Sequence, residues 1–168
     1  MSARVLDGRQ LSQEIRSQLS ERVATLRERG VVPRLDVIVA SQDPASVAYV
    51  TMKRRWAEKA GIQGESYEVN SATTQPELMA KISELNANPD VHGVLIQHPL
   101  PSHLDEPAAL LALGPQKDVD GITPQSLGNL LADVPGFRCA TPLGIIRLLK
   151  HYGIPIAGKR AVDRKSVV

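Results

Sequence analysis

Arg34-Leu35-Asp36-Val37-Ile38-Val39-Ala40, running on through Ser41-Gln42 into Asp43-Pro44-Ala45-Ser46-Val47-Ala48-Tyr49-Val50-Thr51-Met52-Lys53, decides the fold. The first seven residues hold Leu35, Val37, Ile38 and Val39, an apolar, β-branched run that predicts a strand. Asp43 then stands where a helix N-cap belongs and Pro44 at the first turn, so a helix is expected to about Ala60, stopped by Gly61. A strand feeding a helix is the unit of a parallel sheet.

The unit recurs on both sides. Leu11, Ile15, Leu19, Val23 and Leu26 fall three or four apart, which predicts a helix over 9–29 ended by Gly30. Residues 66–69 read as a short strand and 75–86 as a helix carrying Leu78, Met79, Ile82 and Leu85. Val91 to Ile96 is almost continuously apolar, as in a strand covered on both faces. Short helices are expected over 106–113 and 125–131. Another is expected to about Tyr152, capped by Thr141-Pro142. The expected class is α/β, three-layered, a mainly parallel sheet with helices on both faces and right-handed crossovers.

Bulk properties narrow the function. The 168 residues suit one domain or slightly more. The net charge of +2 and scattered basic residues argue against nucleic acid, and one Trp, one Phe and three Tyr make a poor stacking platform for bases. No apolar run approaches the ~20 residues of a membrane span. The N-terminus lacks a signal-peptide core. Cys139 is the only cysteine, so a reducing compartment, the cytoplasm, is expected.

Three segments place polar residues at the edge of this scaffold. Tyr49 and Lys53 are four apart and share a helix face, at the carboxyl edge of a strand where ligands gather. A lysine held against apolar neighbours loses part of its preference for the charged form and can move a proton near neutral pH. A solvated Lys53 and a half-buried Tyr49 fit the same spacing. Gln97 ends the apolar strand before Pro99-Leu100-Pro101, so its carboxamide is placed to accept from a lysine amine or simply to close the turn. Asp118 and Asp120 flank Val119, and either carboxylate could take two parallel N–H bonds from an amino-pyrimidinone ring. An acid pair for metal or glycoside chemistry is the rival reading, but no third oxygen ligand stands nearby. His92, His98, His103 and His151 make no zinc spacing with each other or with Cys139. No metal is expected.

In this order, 43–53, 93–101 and 117–124 resemble the bifunctional methylenetetrahydrofolate dehydrogenase/cyclohydrolase family. Thr141-Pro142-Leu143-Gly144-Ile145 and Gly158-Lys159-Arg160-Ala161-Val162 extend the likeness over nearly the whole chain. The resemblance implies Lys53 as catalytic lysine, Gln97 as the group that holds it, and Tyr49 as a stacker on the aminobenzoyl part of a folate. It implies Asp120 as the catalytic-site acid that binds the pterin, with Pro99 and Leu100 lining the substrate. The implied cofactor is NADP, with Thr141, Arg164 and Ser166 as its weakly indicated contacts, and the implied assembly is a cytoplasmic homodimer. On this view 1–140 form the folate-binding catalytic domain. Residues 141–168 are then a crossover helix and the start of a truncated, Rossmann-type NADP-binding domain, because no glycine follows Gly158 to let backbone approach a phosphate.

The departures are Ser41 for a usual Gly, His98 for a usual Leu, and Arg138-Cys139-Ala140-Thr141-Pro142 for a shorter Pro-Cys-Thr-Pro. Two rival functions stand beside the enzyme: a truncated chain that binds a folate or a partner without redox activity, and an enzyme of another class using Lys53 as a Schiff-base lysine.

Overall fold

The computed structural model describes residues 3–40 and 44–162, with the side chains of 44–46 outside the description. Helix α1 (Gly8–Glu28) starts on Asp7, whose carboxylate accepts the N–H of Arg9 and Gln10. It ends before Gly30, which takes the left-handed φ of 79° expected of a glycine after a helix. Strand β1 (Leu35–Ala40) leads to α2 (Pro44–Lys59), and Gly61, at φ 84°, turns the chain out of it. The expected cap at Asp43 lies outside the described residues. Strand β2 (Ser66–Val69), helix α3 (Gln75–Ala87) and strand β3 (Gly93–Ile96) complete the sheet.

The strand order is β2-β1-β3 and both pairings are parallel, with Ile38 opposite Tyr67 on one side and Ile96 on the other. Alternation along β1 divides its side chains between two cores. Ile38 and Ala40 join Leu78, Ile82 and Leu85 of α3 and Leu104 and Ala109 from around α4 (Glu106–Ala112). Val37 and Val39 meet Val50 of α2 on the opposite face. Helices therefore cover both faces, as the apolar strands require.

Beyond α4 the chain passes beside β3. Val94 donates its N–H to Lys117, and Val94 pairs with Asp118 as an isolated parallel bridge. Gly93 lacks a side chain because Val119 fills that space: a Cβ there would sit 2.5 Å from Val119 Cγ1. Helix α5 (Pro124–Leu131) follows, capped by Thr123.

Helix α6 (Ala140–His151) begins earlier than Thr141. The sequence expectation of a Thr141 cap is corrected: Cys139 occupies the cap position without a side-chain bond. Ala140 donates its N–H to the Asp120 carbonyl at 3.2 Å, which anchors the entry one residue ahead. The far end of α6 folds back on α1, where the Tyr152 hydroxyl accepts the Asp7 N–H. Among the described residues no helix is long and apolar enough to cross a membrane.

Candidate functional site

The carboxyl edge of the sheet brings together three of the expected side chains. Lys53 Nζ donates to Gln97 Oε1 at 3.1 Å and lies 4.5 Å from the centre of the Tyr49 ring. Gln97 reaches this point because β3 ends at Ile96 and its own N–H continues the ladder to the Ile38 carbonyl. The Gln97 carboxamide has one orientation: Nε2 donates to the His98 carbonyl at 3.0 Å, which turns Oε1 toward the lysine.

Lys53 is half-buried. Burial lowers its amine below the ordinary lysine value, because a low-dielectric site disfavours the ammonium; the negative charge of Asp120 opposes this in part. Asp120 thus belongs electrostatically to the same cluster, carried there by the segment that runs beside β3.

Asp118 does not belong to it. Its carboxylate is buried and accepts the N–H of Gly121 at 2.9 Å and of Thr123 at 2.9 Å, with Ile122 at 3.4 Å. Burial alone would raise its pKa, but bonds from the Ser126 hydroxyl and the Thr123 and Ile122 amides outweigh burial and hold it below the ordinary aspartate value. The two acids that sequence alternation could have put on one side are therefore split: Asp118 builds the turn, and the charge of Asp120 acts on the lysine. The turn needs Gly121, which has φ 67° and lies against the Arg138 backbone, 2.4 Å from where a Cβ would be.

Pro99 is exposed at the strand exit. Leu100 packs its side chain into the core and gives its N–H to Glu106 Oε2, so it braces the exit from within. Thr141 is exposed in the first turn of α6, away from the lysine cluster in sequence and contacts, and Arg164 and Ser166 lie outside the described residues.

Sequence reading passed over two features. Glu106 contacts both His98 and Leu100, and Lys117 donates to the Leu85 and Asn88 carbonyls at the end of α3. A lysine opening an acidic turn was the available signal for the second. A cavity of about 560 Å³ opens along the β2 edge, lined by Ser66, Tyr67, Thr73, Glu77 and Lys81. Two of its charged groups are engaged, Glu77 in the α3 capping box and Lys81 with Glu84. No group of three or more His, Cys, Asp and Glu side chains among the described residues could hold a metal ion.

Fold and site together define a class: a parallel α/β domain with a lysine–carboxamide pair, an aromatic ring and a carboxylate at the carboxyl edge of its sheet. The family model described as tetrahydrofolate dehydrogenase/cyclohydrolase, catalytic domain, matches residues 6–120, and the chain belongs to that family. It is 48% identical over 163 residues to a bifunctional protein FolD of Teredinibacter turnerae, covering 96% of this chain and 58% of the relative. A FolD of Wolinella succinogenes is 46% identical, with 94% and 56% covered. The bifunctional FolD dehydrogenase/cyclohydrolase structure from Campylobacter jejuni superposes with a TM-score of 0.88 at 40% identity, over 91% of this chain and 55% of that one. The Trypanosoma brucei FolD complexed with NADP cofactor and inhibitor gives 0.88 at 34% identity, over 95% and 55%. The chain thus spans little more than half the length of the relatives it matches.

Proposed function

We propose that this chain carries the folate half of a methylenetetrahydrofolate dehydrogenase/methenyltetrahydrofolate cyclohydrolase. The observation that carries the reading is the Lys53–Gln97 bond beside Tyr49 and Asp120, within a chain of that family. On this reading 1–140 form the folate-binding catalytic domain, and 141–168 are a crossover helix and the start of a nucleotide-binding unit.

The hydrolytic step is derivable from these residues. Water adds to the bridging methenyl carbon and releases one proton as its C–O bond forms; the remaining hydroxyl proton then passes to the ring nitrogen as the C=O bond forms and the C–N bond breaks, giving 10-formyl-tetrahydrofolate. Lys53 is the group for both transfers, since burial lowers its pKa below the ordinary lysine value and so favours the free amine. Gln97 fixes the direction of the amine. Tyr49 offers a ring face to the aminobenzoyl group, and the Pro99–Leu100 backbone walls the strand exit. Asp120 accepts the paired N–H groups of the pterin and holds the substrate in register.

The oxidation of 5,10-methylene- to 5,10-methenyl-tetrahydrofolate would use NADP as hydride acceptor. The described residues alone do not fit that group: of Thr141, Arg164 and Ser166 only Thr141 is described, and it is a single exposed hydroxyl in a helical turn. No hydride step is derived from them. With family membership goes the proposal of a cytoplasmic homodimer, which sedimentation of the chain tests.

The test is a titration with a 5,10-methenyl-tetrahydrofolate analogue together with a hydrolysis assay. Asp120→Ala is expected to weaken binding by about 10- to 100-fold, the worth of a charge-assisted pair. Lys53→Met is expected to bind and not turn over. Undiminished hydrolysis in Lys53→Met would sink the reading.

A further inference from the structure

His98 stands where the family resemblance calls for Leu, and it is not idle. Its Nδ1 lies 2.8 Å from Glu106 Oε1, and because an ionised carboxylate only accepts, Nδ1 carries the proton. The other oxygen of Glu106 accepts the Leu100 N–H at 2.7 Å. One carboxylate therefore grips the strand exit on both sides of Pro99.

Glu106 is itself held in place. It opens α4 immediately after the cap Asp105, whose side chain accepts the Ala108 N–H. The Asp105 backbone is tied to α3, its N–H donating to Gln75 Oε1 at 2.9 Å. Leu100 and Leu104 are buried in the core that α3 and α4 share. The exit from β3 is thus fastened to two helices, and the atom it presents toward the site is the His98 carbonyl. That carbonyl receives Gln97 Nε2, and Gln97 Oε1 receives Lys53.

We infer that Glu106 is a positioning residue for the lysine: by clamping His98 and Leu100 it sets the His98 carbonyl, which orients the Gln97 carboxamide and so the Lys53 amine. The inference rests on the proposed role of Lys53 for its catalytic meaning, while the linkage itself is a property of the unliganded chain. A carboxamide whose Nε2 has lost its acceptor can rotate and present nitrogen instead of oxygen to the lysine. Misplacement of a reacting group by about 1 Å can cost about 100-fold in rate. Glu106 lies one step further back, so a loss of about 10-fold in kcat with KM within twofold is expected of Glu106→Ala.

The experiment combines two readouts on wild type, Glu106→Ala, Gln97→Ala, the double variant and Lys53→Met. Side-chain NMR of the unliganded chain follows the Gln97 carboxamide and the titration of the Lys53 Cε. Hydrolysis of 5,10-methenyl-tetrahydrofolate follows kcat and KM. In Glu106→Ala the Gln97 carboxamide signals and the Lys53 midpoint should both move while the backbone spectrum away from 97–106 stays in place. The kcat loss should disappear when Gln97 is already Ala, which a general loss of stability would not produce. Glu106→Gln, whose amide oxygen can still accept the Leu100 N–H, should recover most of the carboxamide signal. Unmoved Gln97 and Lys53 signals in Glu106→Ala would overturn the inference. If Glu106→Ala loses its folded spectrum, His98→Leu removes one of the two grips and is judged by the same signals. Should Lys53→Met hydrolyse normally while the signals still respond to Glu106→Ala, the linkage stands and the catalytic reading falls.

Discussion

The two ends of the central sheet treat charge in opposite ways. At the amino end Asp36 is wholly buried and its carboxylate is saturated: it takes Arg34 Nε and Nη2 at 2.9 Å each, the Glu65 N–H at 3.0 Å and the Tyr67 hydroxyl at 3.3 Å. At the carboxyl end Lys53 has a single acceptor among the described residues, a ring face and the opposing charge of Asp120. A saturated buried charge fixes structure, because every change of partner costs desolvation. An under-supplied one keeps capacity for a ligand or a proton. The difference separates a structural lock from a reactive site within one three-stranded sheet.

The largest effects test that separation directly. Lys53→Met should reduce methenyl hydrolysis by about 10²- to 10⁴-fold, the range for a positioned acid–base group, without lowering the unfolding midpoint in urea. Asp36→Ala should do the reverse. It leaves Arg34, the Glu65 amide and Tyr67 without their shared acceptor, and a cost of about 3 kcal/mol in urea unfolding is expected. Turnover per folded molecule should hold. A large activity loss in Asp36→Ala at full folding would erase the distinction between the ends.

Gly121→Ala probes the join between scaffold and site. A Cβ would meet the Arg138 carbonyl carbon at 2.4 Å, a backbone atom that cannot swing aside, and φ is 67°. Left-handed strain and overpacking together should destabilise by about 2 kcal/mol. Because Asp120 precedes this glycine, folate affinity should fall as well. A variant that lost stability and kept affinity would show that Asp120 is placed by something other than the turn.

Much of this architecture is legible in the residues alone, and the reason is local. Gly30 and Gly61 stop their helices because only glycine accepts the left-handed φ there, and the strand at 66–69 shows as a short run between turns. The edge position of Gln97 follows from Pro99 ending an apolar run. What pattern could not supply is which polar side chains meet. Lys53 and Gln97 are 44 residues apart and join only because β1 and β3 are neighbours. Asp36, an acid inside a strand covered on both faces, was the available sign of a buried ion pair and passed unnoticed beside its apolar neighbours. Asp118 and Asp120 looked equivalent because their difference lies in three backbone amides that a turn, not a spacing, delivers. Thr141 has the residue type of a cap, but the bond from Ala140 to Asp120 starts the helix before it.

The smallest expected effect uses alkaline pH to set the two ends against each other. Lys53 has a folded pKa below that of the unfolded chain, about 10.4 for an unperturbed lysine. Between those values the unfolded state binds more protons, so this group makes stability rise with pH and stops contributing above the unfolded value. Tyr67 is the mirror case. Burial, then the bond to Glu65 and the charge of Asp36, push its hydroxyl up to about 12. From about pH 10, where an unfolded tyrosine ionises, the folded state holds the extra proton and stability falls until the folded hydroxyl ionises as well. Tyr67→Phe should therefore cost about 1 kcal/mol at pH 7 for the bond lost to Asp36, yet lessen the fall above pH 10. Lys53→Met should instead raise stability at neutral pH and lessen the rise that precedes pH 10. Urea midpoints across pH 7–12 for the two variants and the double variant measure both slopes. Because the groups sit at opposite ends and share no partner, their effects should add. A double variant departing from the sum would mean that the lock and the site communicate through β1.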